Sequence, residues 1–147
     1  MRKRGCLGAE VRIKVPFYDV DTLQVAWHGH YAKYLEEARC ALLERIGYDY
    51  DAMRADGYAW PVIDLHIRYA RPARFGQSIA VRAELVEWLN RLVINYLVTD
   101  AATGTRLTRA ATTQIAVLIA TREMQMVSPD GLVRAVQSAL DAQEAAR

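Results

Sequence analysis

The spacing of apolar residues changes along this chain, and the change limits the folds open to it. Between about Gly29 and Gly47, apolar side chains recur every three or four residues. They are Tyr31, Tyr34, Leu35, Ala38, Leu42 and Ile46. This spacing predicts an amphipathic helix of four to five turns that ends at Gly47. After Gly57 apolar residues alternate with polar ones, which predicts strands almost to the end of the chain.

The order of these segments favours an α+β fold with an antiparallel sheet. One strand is predicted before the helix, at Glu10–Phe17, and four after it, at Ala59–Tyr69, Gln77–Trp88, Arg91–Thr99 and Thr105–Ala120. The gaps at 89–90 and 100–104 suit hairpins. A short second helix is predicted from Ser128 through Leu140. Because a sheet with one apolar face must cover it, we expect the sheet to wrap around the long helix.

Length and composition indicate one domain of ordinary globular character. The chain has 147 residues, of which 52% are hydrophobic and 24% charged, a balance that supports a folded core. No linker or internal repeat divides it. We expect a flexible N-terminus over residues 1–9, a single domain over 10–127, and a C-terminal helix and tail over 128–147, weakly ordered after Asp141.

Several classes of partner are disfavoured by the sequence. The net charge is +2 and the arginines are scattered among acids, whereas nucleic-acid-binding domains usually show a clustered basic face. The basic N-terminus lacks the apolar run of a signal peptide, and no run of 18 apolar residues predicts a membrane span. No Cys/His cluster suggests a metal. We therefore expect a cytoplasmic protein that uses no nucleic acid, membrane, metal or redox cofactor.

The segment before the long helix contains an unusual set of titratable residues. Asp19, Asp21, His28 and His30 lie within twelve positions that lead into the predicted helix start. Free N–H groups at a helix N-terminus can hold an oxygen that becomes negative during reaction. A carboxylate nearby completes the minimum equipment for acyl transfer. The structural alternative also stands at this point, since Asp is common in turns and His often satisfies helix ends.

Two motifs make the resemblance to a known family specific. The run VPFYDVDTLQVAWHGHYAKYLEEARCALLERIGY resembles the 4-hydroxybenzoyl-CoA thioesterase-like group of hotdog-fold enzymes. Their pattern is an aromatic, x-Asp-x-Asp, a short loop, Val-Val-(aromatic)-His-x-x-Tyr and Glu-x-Ala-Arg. The later run RYARPARFGQ resembles the Tyr-x-x-Pro-Ala-x-x-Gly-(Asp/Gln) connection of the same group. The likeness extends from Glu10 to about Ala120 and implies an antiparallel sheet wrapped around one long central α-helix.

The resemblance also implies roles for residues of the first motif. Asp21 matches the catalytic carboxylate, and Asp19 its structural neighbour. The oxyanion donor is a backbone N–H that maps to His28 or Gly29, and the imidazole of His28 assists in many members. Gln24 stands where most relatives have Gly. The chain departs from the family pattern at this position, which bears on the geometry of the loop that carries Asp21.

Further roles implied by the resemblance concern the substrate. The expected substrate-binding residues are Tyr31, Glu36, Trp60, Pro61 and Val62, and the expected coenzyme A phosphate-binding residues are Arg91, Arg74 and Arg71. The expected activity is hydrolysis of acyl-CoA thioesters by a homodimer or homotetramer whose site lies at the subunit interface. There are three alternatives to this activity. One is a thioesterase acting on acyl carrier protein in fatty-acid, polyketide or polyene synthesis, and another is a non-catalytic acyl-CoA-binding hotdog protein. The third is a dehydratase of the same fold, which would use a different His-centred set of residues that the sequence does not show. The acyl group is not specified by the sequence.

Overall fold

The computed structural model describes residues 6–147, in which three α-helices and seven strands follow one another in a mixed α+β order. The helices are α1 (Tyr31–Ile46), α2 (Tyr50–Ala55) and α3 (Asp130–Ala145). The strands are β1 (Leu7–Lys14), β2 (Tyr58–Ala59), β3 (Val62–Tyr69), β4 (Ser78–Glu87), β5 (Leu92–Asp100), β6 (Arg106–Gln114) and β7 (Val117–Leu118). Five strands form one antiparallel sheet in the order β1-β4-β5-β6-β3, and β2 pairs with β7.

The long helix confirms the central element of the sequence prediction. Its buried residues include all six of the predicted apolar positions, and Gly47 follows it with a left-handed φ of 83°. Helix α1 packs on β1 and β4, so it covers one half of the sheet. The core lies between them, where Leu35, Leu42 and Val81 are fully buried. The predicted hairpins also form, because β4, β5 and β6 pair in antiparallel register.

Some strands begin or end at other residues than predicted, because the alternation of apolar and polar residues continues past the end of the strand. The first strand is Leu7–Lys14 and not Glu10–Phe17, because residues from Leu7 onward pair with β4 whereas Phe17 begins a 3₁₀ turn and is 74% exposed. Residues 1–5 of the expected flexible N-terminus lie outside the described residues. Pro61, which cannot donate to a strand ladder, separates β2 from β3.

The last part of the chain differs in a similar way. The segment predicted as one strand, Thr105–Ala120, is divided into β6 and β7, which belong to different sheets. Helix α3 continues to Ala145, through the tail expected to be weakly ordered. The physical reason is a side-chain anchor: Gln143 accepts a hydrogen bond from Arg45 and donates one to the backbone oxygen of Cys6.

Strand β3 is the feature of the fold that bears most on the site. It lies at the edge of the sheet, beyond the half that α1 covers. Its apolar residues Val62, Ile63, Leu65 and Tyr69 are 42–54% exposed. The expected alternation is present, since Leu65 and Tyr69 oppose the buried Thr112 and Thr108 while His66 lies on the other face. An apolar edge strand of this length is a surface on which another chain can pair.

Candidate active site

Asp19 fixes the loop between β1 and α1. Its side chain is buried, and its carboxylate accepts hydrogen bonds from Lys33 Nζ at 2.8 Å and from the Tyr34 hydroxyl at 2.7 Å. Its backbone oxygen accepts from the N–H of Trp27 at 2.9 Å. Burial alone would raise the pKa of Asp19, but the hydrogen bonds from Lys33 and Tyr34 hold that pKa below its usual value. Asp19 therefore ties the loop to the first turn of α1 through the side chains of Lys33 and Tyr34.

Asp21 lies at the start of a tight turn in the same loop. Its backbone oxygen accepts from the N–H of Gln24 at 2.9 Å, and its side-chain Oδ1 accepts from the N–H of Leu23 at 2.8 Å. Gln24 has a φ of 59°, the left-handed conformation that Gly adopts more easily. The loop thus takes the tight turn that a glycine would allow, despite the departure from the family pattern at Gln24. The turn orients the Asp21 carboxylate and leaves Oδ2 free of the Leu23 bond.

Asp21 and His28 line one open cavity of about 250 Å³. The cavity lies between the loop, the start of α1 and the end of β3. The other lining residues are Val25, Ala26, Tyr31, Tyr69, Ala70, Arg71 and Pro72. Four residues named from the sequence therefore come together here: Asp21, His28, Tyr31 and Arg71. Tyr69, quoted as part of a motif but given no role, is an addition that the structure makes.

The start of α1 presents free backbone donors at this cavity. Residues His28–His30 form a 3₁₀ turn that leads directly into the helix. Within residues 6–147, neither the N–H of His28 nor that of Gly29 donates to another protein group. The imidazole of His28 makes ring contacts with Trp27, at 5.0 Å between centroids, and with Tyr69, at 6.3 Å. Unpaired donors at a helix start are suited to bind a carbonyl oxygen that acquires negative charge.

The three arginines proposed for phosphate binding do not lie together in one chain. Arg71 and Arg74 line a groove of about 550 Å³ that adjoins the Asp21 cavity, with Gln77, Asp100 and Thr103 among its other residues. Arg91 lies at the β4–β5 hairpin, where its Nε is 3.3 Å from Glu87. It lines a different groove, with Asp64 and His66 of the outer face of β3. Only Arg71 and Arg74 are therefore near Asp21 within one chain.

The residues proposed for acyl binding are also divided. Trp60, Pro61 and Val62 stand at the opposite end of β3 from Tyr69, roughly 23–30 Å away along the strand direction. Trp60 is buried, and its backbone oxygen accepts from Gln114 Nε2 at 2.7 Å. Glu36 is exposed, two helical turns beyond His28, and is 3.9 Å from Nη2 of the buried Arg39. Within residues 6–147, none of these four residues lines the Asp21 cavity.

Two further observations concern residues 6–147 as a whole. In the stretch from Cys6 to Arg147, no three His, Cys, Asp or Glu side chains converge as metal ligands would. Over the same stretch, no helix combines the length and the apolar character needed to cross a membrane.

The fold and this loop-to-helix site define the class of protein. A long helix packed on an antiparallel sheet, with a carboxylate-bearing loop before the helix, is the hotdog arrangement expected from the sequence. The family model of the thioesterase-like superfamily matches residues 15–140. The chain belongs to the thioesterase-like superfamily, and the resemblance inferred from the two motifs is confirmed.

Individual proteins are also similar to this chain. A Thermus thermophilus structure described as a hypothetical protein is 32% identical, covers 89% of this chain and 98% of its own, and superposes with a TM-score of 0.78. The DHNA-CoA thioesterase of Staphylococcus aureus has a TM-score of 0.80 at 22% identity, over 94% and 91% of the two chains, which shows the shared fold. The acyl-acyl carrier protein thioesterase ATL3 of Arabidopsis thaliana is 32% identical over 76 residues, 52% of this chain and 40% of that protein. The chain spans about half the length of the curated relatives it matches.

Proposed function

We propose that this protein hydrolyses acyl-CoA thioesters to a free acid and coenzyme A. The observation that supports the proposal is the shared cavity, lined by Asp21 and His28 at a helix start whose two leading N–H groups are unpaired. A carboxylate and an oxyanion site facing the same space are what acyl transfer requires. Membership of the thioesterase-like superfamily gives the reaction class in which these groups are used.

The proposed reaction begins with the thioester carbonyl at the start of α1. Its oxygen accepts hydrogen bonds from the N–H groups of His28 and Gly29, which stabilise the charge that develops when the carbonyl is attacked. The carboxylate of Asp21 either attacks the carbonyl carbon, giving an enzyme anhydride that water then opens, or removes a proton from the attacking water. In both routes the C–S bond breaks and the coenzyme A thiolate leaves and takes a proton.

The turn at Asp21 suits either route. The N–H of Leu23 donates to Oδ1 at 2.8 Å and orients the carboxylate, which leaves Oδ2 to supply the reactive lone pairs. Preorganisation of this kind lowers the cost of reaching the reactive geometry. The imidazole of His28 lines the same cavity and is proposed to assist by orienting water or handling a proton.

We further propose that the working unit is a homodimer formed through β3, or a tetramer built from such dimers. The edge of β3 is open and its helix-side apolar residues are exposed. Two copies related by a two-fold axis would pair their β3 strands antiparallel. The Trp60–Val62 end of one strand would then lie beside the Tyr69 end of the other. This pairing supports a shared site, because it supplies the acyl-binding residues that one chain lacks near Asp21.

The substrate carrier distinguishes the main proposal from its alternatives. Arg71 and Arg74 beside the cavity favour coenzyme A, because guanidinium groups bind phosphates well. The similarity to ATL3 favours an acyl carrier protein as the second candidate. A non-catalytic acyl-CoA-binding protein would bind without turnover, and the retention of both Asp21 and His28 in one cavity is the observation against it.

A thiol-release assay tests the proposal. Purified protein is incubated with short, long and aryl acyl-CoAs and with an acyl carrier protein substrate, and free thiol is followed over time. We expect turnover of at least one acyl-CoA at a higher kcat/KM than that of the matching carrier-protein substrate. A reversed preference selects the carrier-protein alternative, and tight acyl-CoA binding without thiol release selects the non-catalytic one.

A further inference from the structure

The peptide group between His28 and Gly29 is held by a residue that the proposed mechanism does not yet use. The carbonyl oxygen of His28 accepts the helical hydrogen bond from the N–H of Tyr31 and a second bond from the Tyr69 hydroxyl at 2.7 Å. Because a peptide unit is planar, fixing this oxygen also fixes the direction of the Gly29 N–H. That N–H is one of the two candidate oxyanion donors.

The other side of the same turn is covered by Trp27. A Cβ atom on Gly29 would overlap Cζ3 of the Trp27 ring, so the indole occupies the space that a side chain at position 29 would need. The indole also contacts the rings of His28 and His30, at 5.0 and 5.3 Å between centroids. The donor peptide is therefore confined between an indole and a tyrosine hydroxyl.

Tyr69 is itself fixed firmly enough to act as an anchor. Its ring stands edge-on to Tyr31, with centroids 5.0 Å apart and planes at 88°. Its backbone belongs to β3, opposite Thr108 of β6. Partial burial, and after it the neighbouring Tyr31, raise the pKa of Tyr69, so the phenol stays protonated at neutral pH and remains a hydrogen-bond donor. The hydroxyl thus connects the exposed three-residue turn to the sheet.

We propose that Tyr69 is a positioning residue that preorganises the His28–Gly29 peptide as an oxyanion donor. This inference rests on the proposed thioesterase function. Tyr69 acts through the His28 carbonyl and takes no part in bond making or breaking. Donors that already point at the developing charge need no reorganisation as the reaction proceeds, which is the main source of their effect. Without the hydroxyl, the turn at His28–His30 loses its tie to β3 and the Gly29 N–H samples unproductive directions.

The test variant is Tyr69→Phe, which removes only the hydroxyl. We expect kcat to fall by about tenfold while KM stays within about twofold, because the loss affects the transition state and not the bound substrate. Binding of a non-hydrolysable thioether analogue of the best acyl-CoA should be unchanged. The matched control is Tyr48→Phe, which removes another hydroxyl that donates at 2.7 Å, to Asp56, beyond the opposite end of α1. Its kinetics should equal those of the wild type.

A second measurement reports on the peptide without using activity. The NMR order parameter of the Gly29 amide should fall in Tyr69→Phe, relative to the wild type and to Tyr48→Phe, from a value of about 0.85 typical of rigid backbone. An unchanged order parameter overturns the inference. So does a kcat within about twofold of the wild type, or a loss that is confined to KM and analogue binding.

Failure of the inference can be distinguished from failure of the proposed function. Asp21→Asn is measured in the same assay. If Asp21→Asn is inactive and Tyr69→Phe is normal, the positioning role alone is wrong. If Asp21→Asn keeps full turnover, the proposed carboxylate is wrong, while the order parameter of Gly29 still decides the role of Tyr69.

Discussion

Asp19 and Asp21 are two positions apart, yet their carboxylates have opposite surroundings. Asp19 is 2% exposed and bonded to Lys33 and Tyr34 of α1, whereas Asp21 lines the open cavity with His28. The two carboxylates belong to different turns: Asp19 ends the 3₁₀ turn that begins at Phe17, whereas Asp21 begins the turn closed by the N–H of Gln24. The two carboxylates are therefore expected to separate into a structural and a chemical role.

Asp19→Asn tests the structural role. The variant keeps the shape of the side chain but removes the negative charge to which Lys33 and Tyr34 donate hydrogen bonds. Because hydrogen bonds to a buried charged group contribute more than neutral ones, we expect a loss of about 1–3 kcal/mol in the free energy of unfolding. Urea unfolding at pH 7 measures this loss. A variant as stable as the wild type contradicts the anchoring role.

The pH dependence of stability follows from the same carboxylate. The pKa of Asp19 is lower in the folded protein than in the unfolded chain, where Asp titrates near pH 3.9. The unfolded state therefore binds the proton first as pH falls, and the contribution of Asp19 is complete above about pH 5 and declines progressively as pH falls below it. We expect the stability difference between wild type and Asp19→Asn to shrink between pH 5 and about pH 3. A difference that stays constant over this range contradicts the assignment.

Gln24 provides a test of backbone strain in the Asp21 turn. A non-glycine residue at φ 59° is disfavoured, and Gly adopts this conformation without the clash of a Cβ. We expect Gln24→Gly to raise the free energy of unfolding by about 0.5–1 kcal/mol and the matched Gln24→Val, which is β-branched, to lower it by about 1 kcal/mol. Denaturant unfolding measures both. Equal stability of the three proteins would show that the turn is not strained.

The proposed assembly through β3 is tested at Leu65, which is 44% exposed on the helix side of the strand. Light scattering at micromolar concentration should show a dimer or tetramer for the wild type. Leu65→Lys should place a charge in the β3 pair and yield an inactive or weakly active monomer. His66→Ala, on the opposite face of the same strand, is the control and should keep the β3 pair. A wild-type monomer with full activity contradicts the proposal.

The sequence predicts the fold correctly where a regular spacing of apolar residues indicates which face of a helix or strand is buried. Helix α1 and the β4–β5 and β5–β6 hairpins have regular periods bounded by Gly or polar turns. Alternation alone does not say when a chain leaves one sheet for another, so the divisions between β2 and β3 and between β6 and β7 were missed. Helix α2, capped by the side chain of Asp49, was missed because six residues are too few to show a period.

The candidate site divides in the same way. Asp21, His28 and Tyr31 are close in sequence to the start of α1, so their shared location could be predicted. Tyr69 meets His28 across 41 positions, a contact set by the pairing of β3 with β6. Arg91 and Trp60 belong to the far end of the sheet, and local spacing does not reveal which end a hairpin occupies. Their roles, the domain boundaries and the cytoplasmic location stay predictions.

The most direct test of the central claim is the turnover of Asp21→Asn. Asn preserves the side-chain oxygen that accepts from the N–H of Leu23, so the turn and the stability should be retained while nucleophile and base are both lost. Thiol release is measured with the best acyl-CoA for the wild type, Asp21→Asn and Asp19→Asn, each verified as folded by circular dichroism. We predict that kcat of Asp21→Asn falls by about 10² or more, with Asp19→Asn affected chiefly in stability. Turnover of Asp21→Asn near the wild-type rate, with loss in a folded Asp19→Asn, would contradict the account and assign the reaction to the other carboxylate.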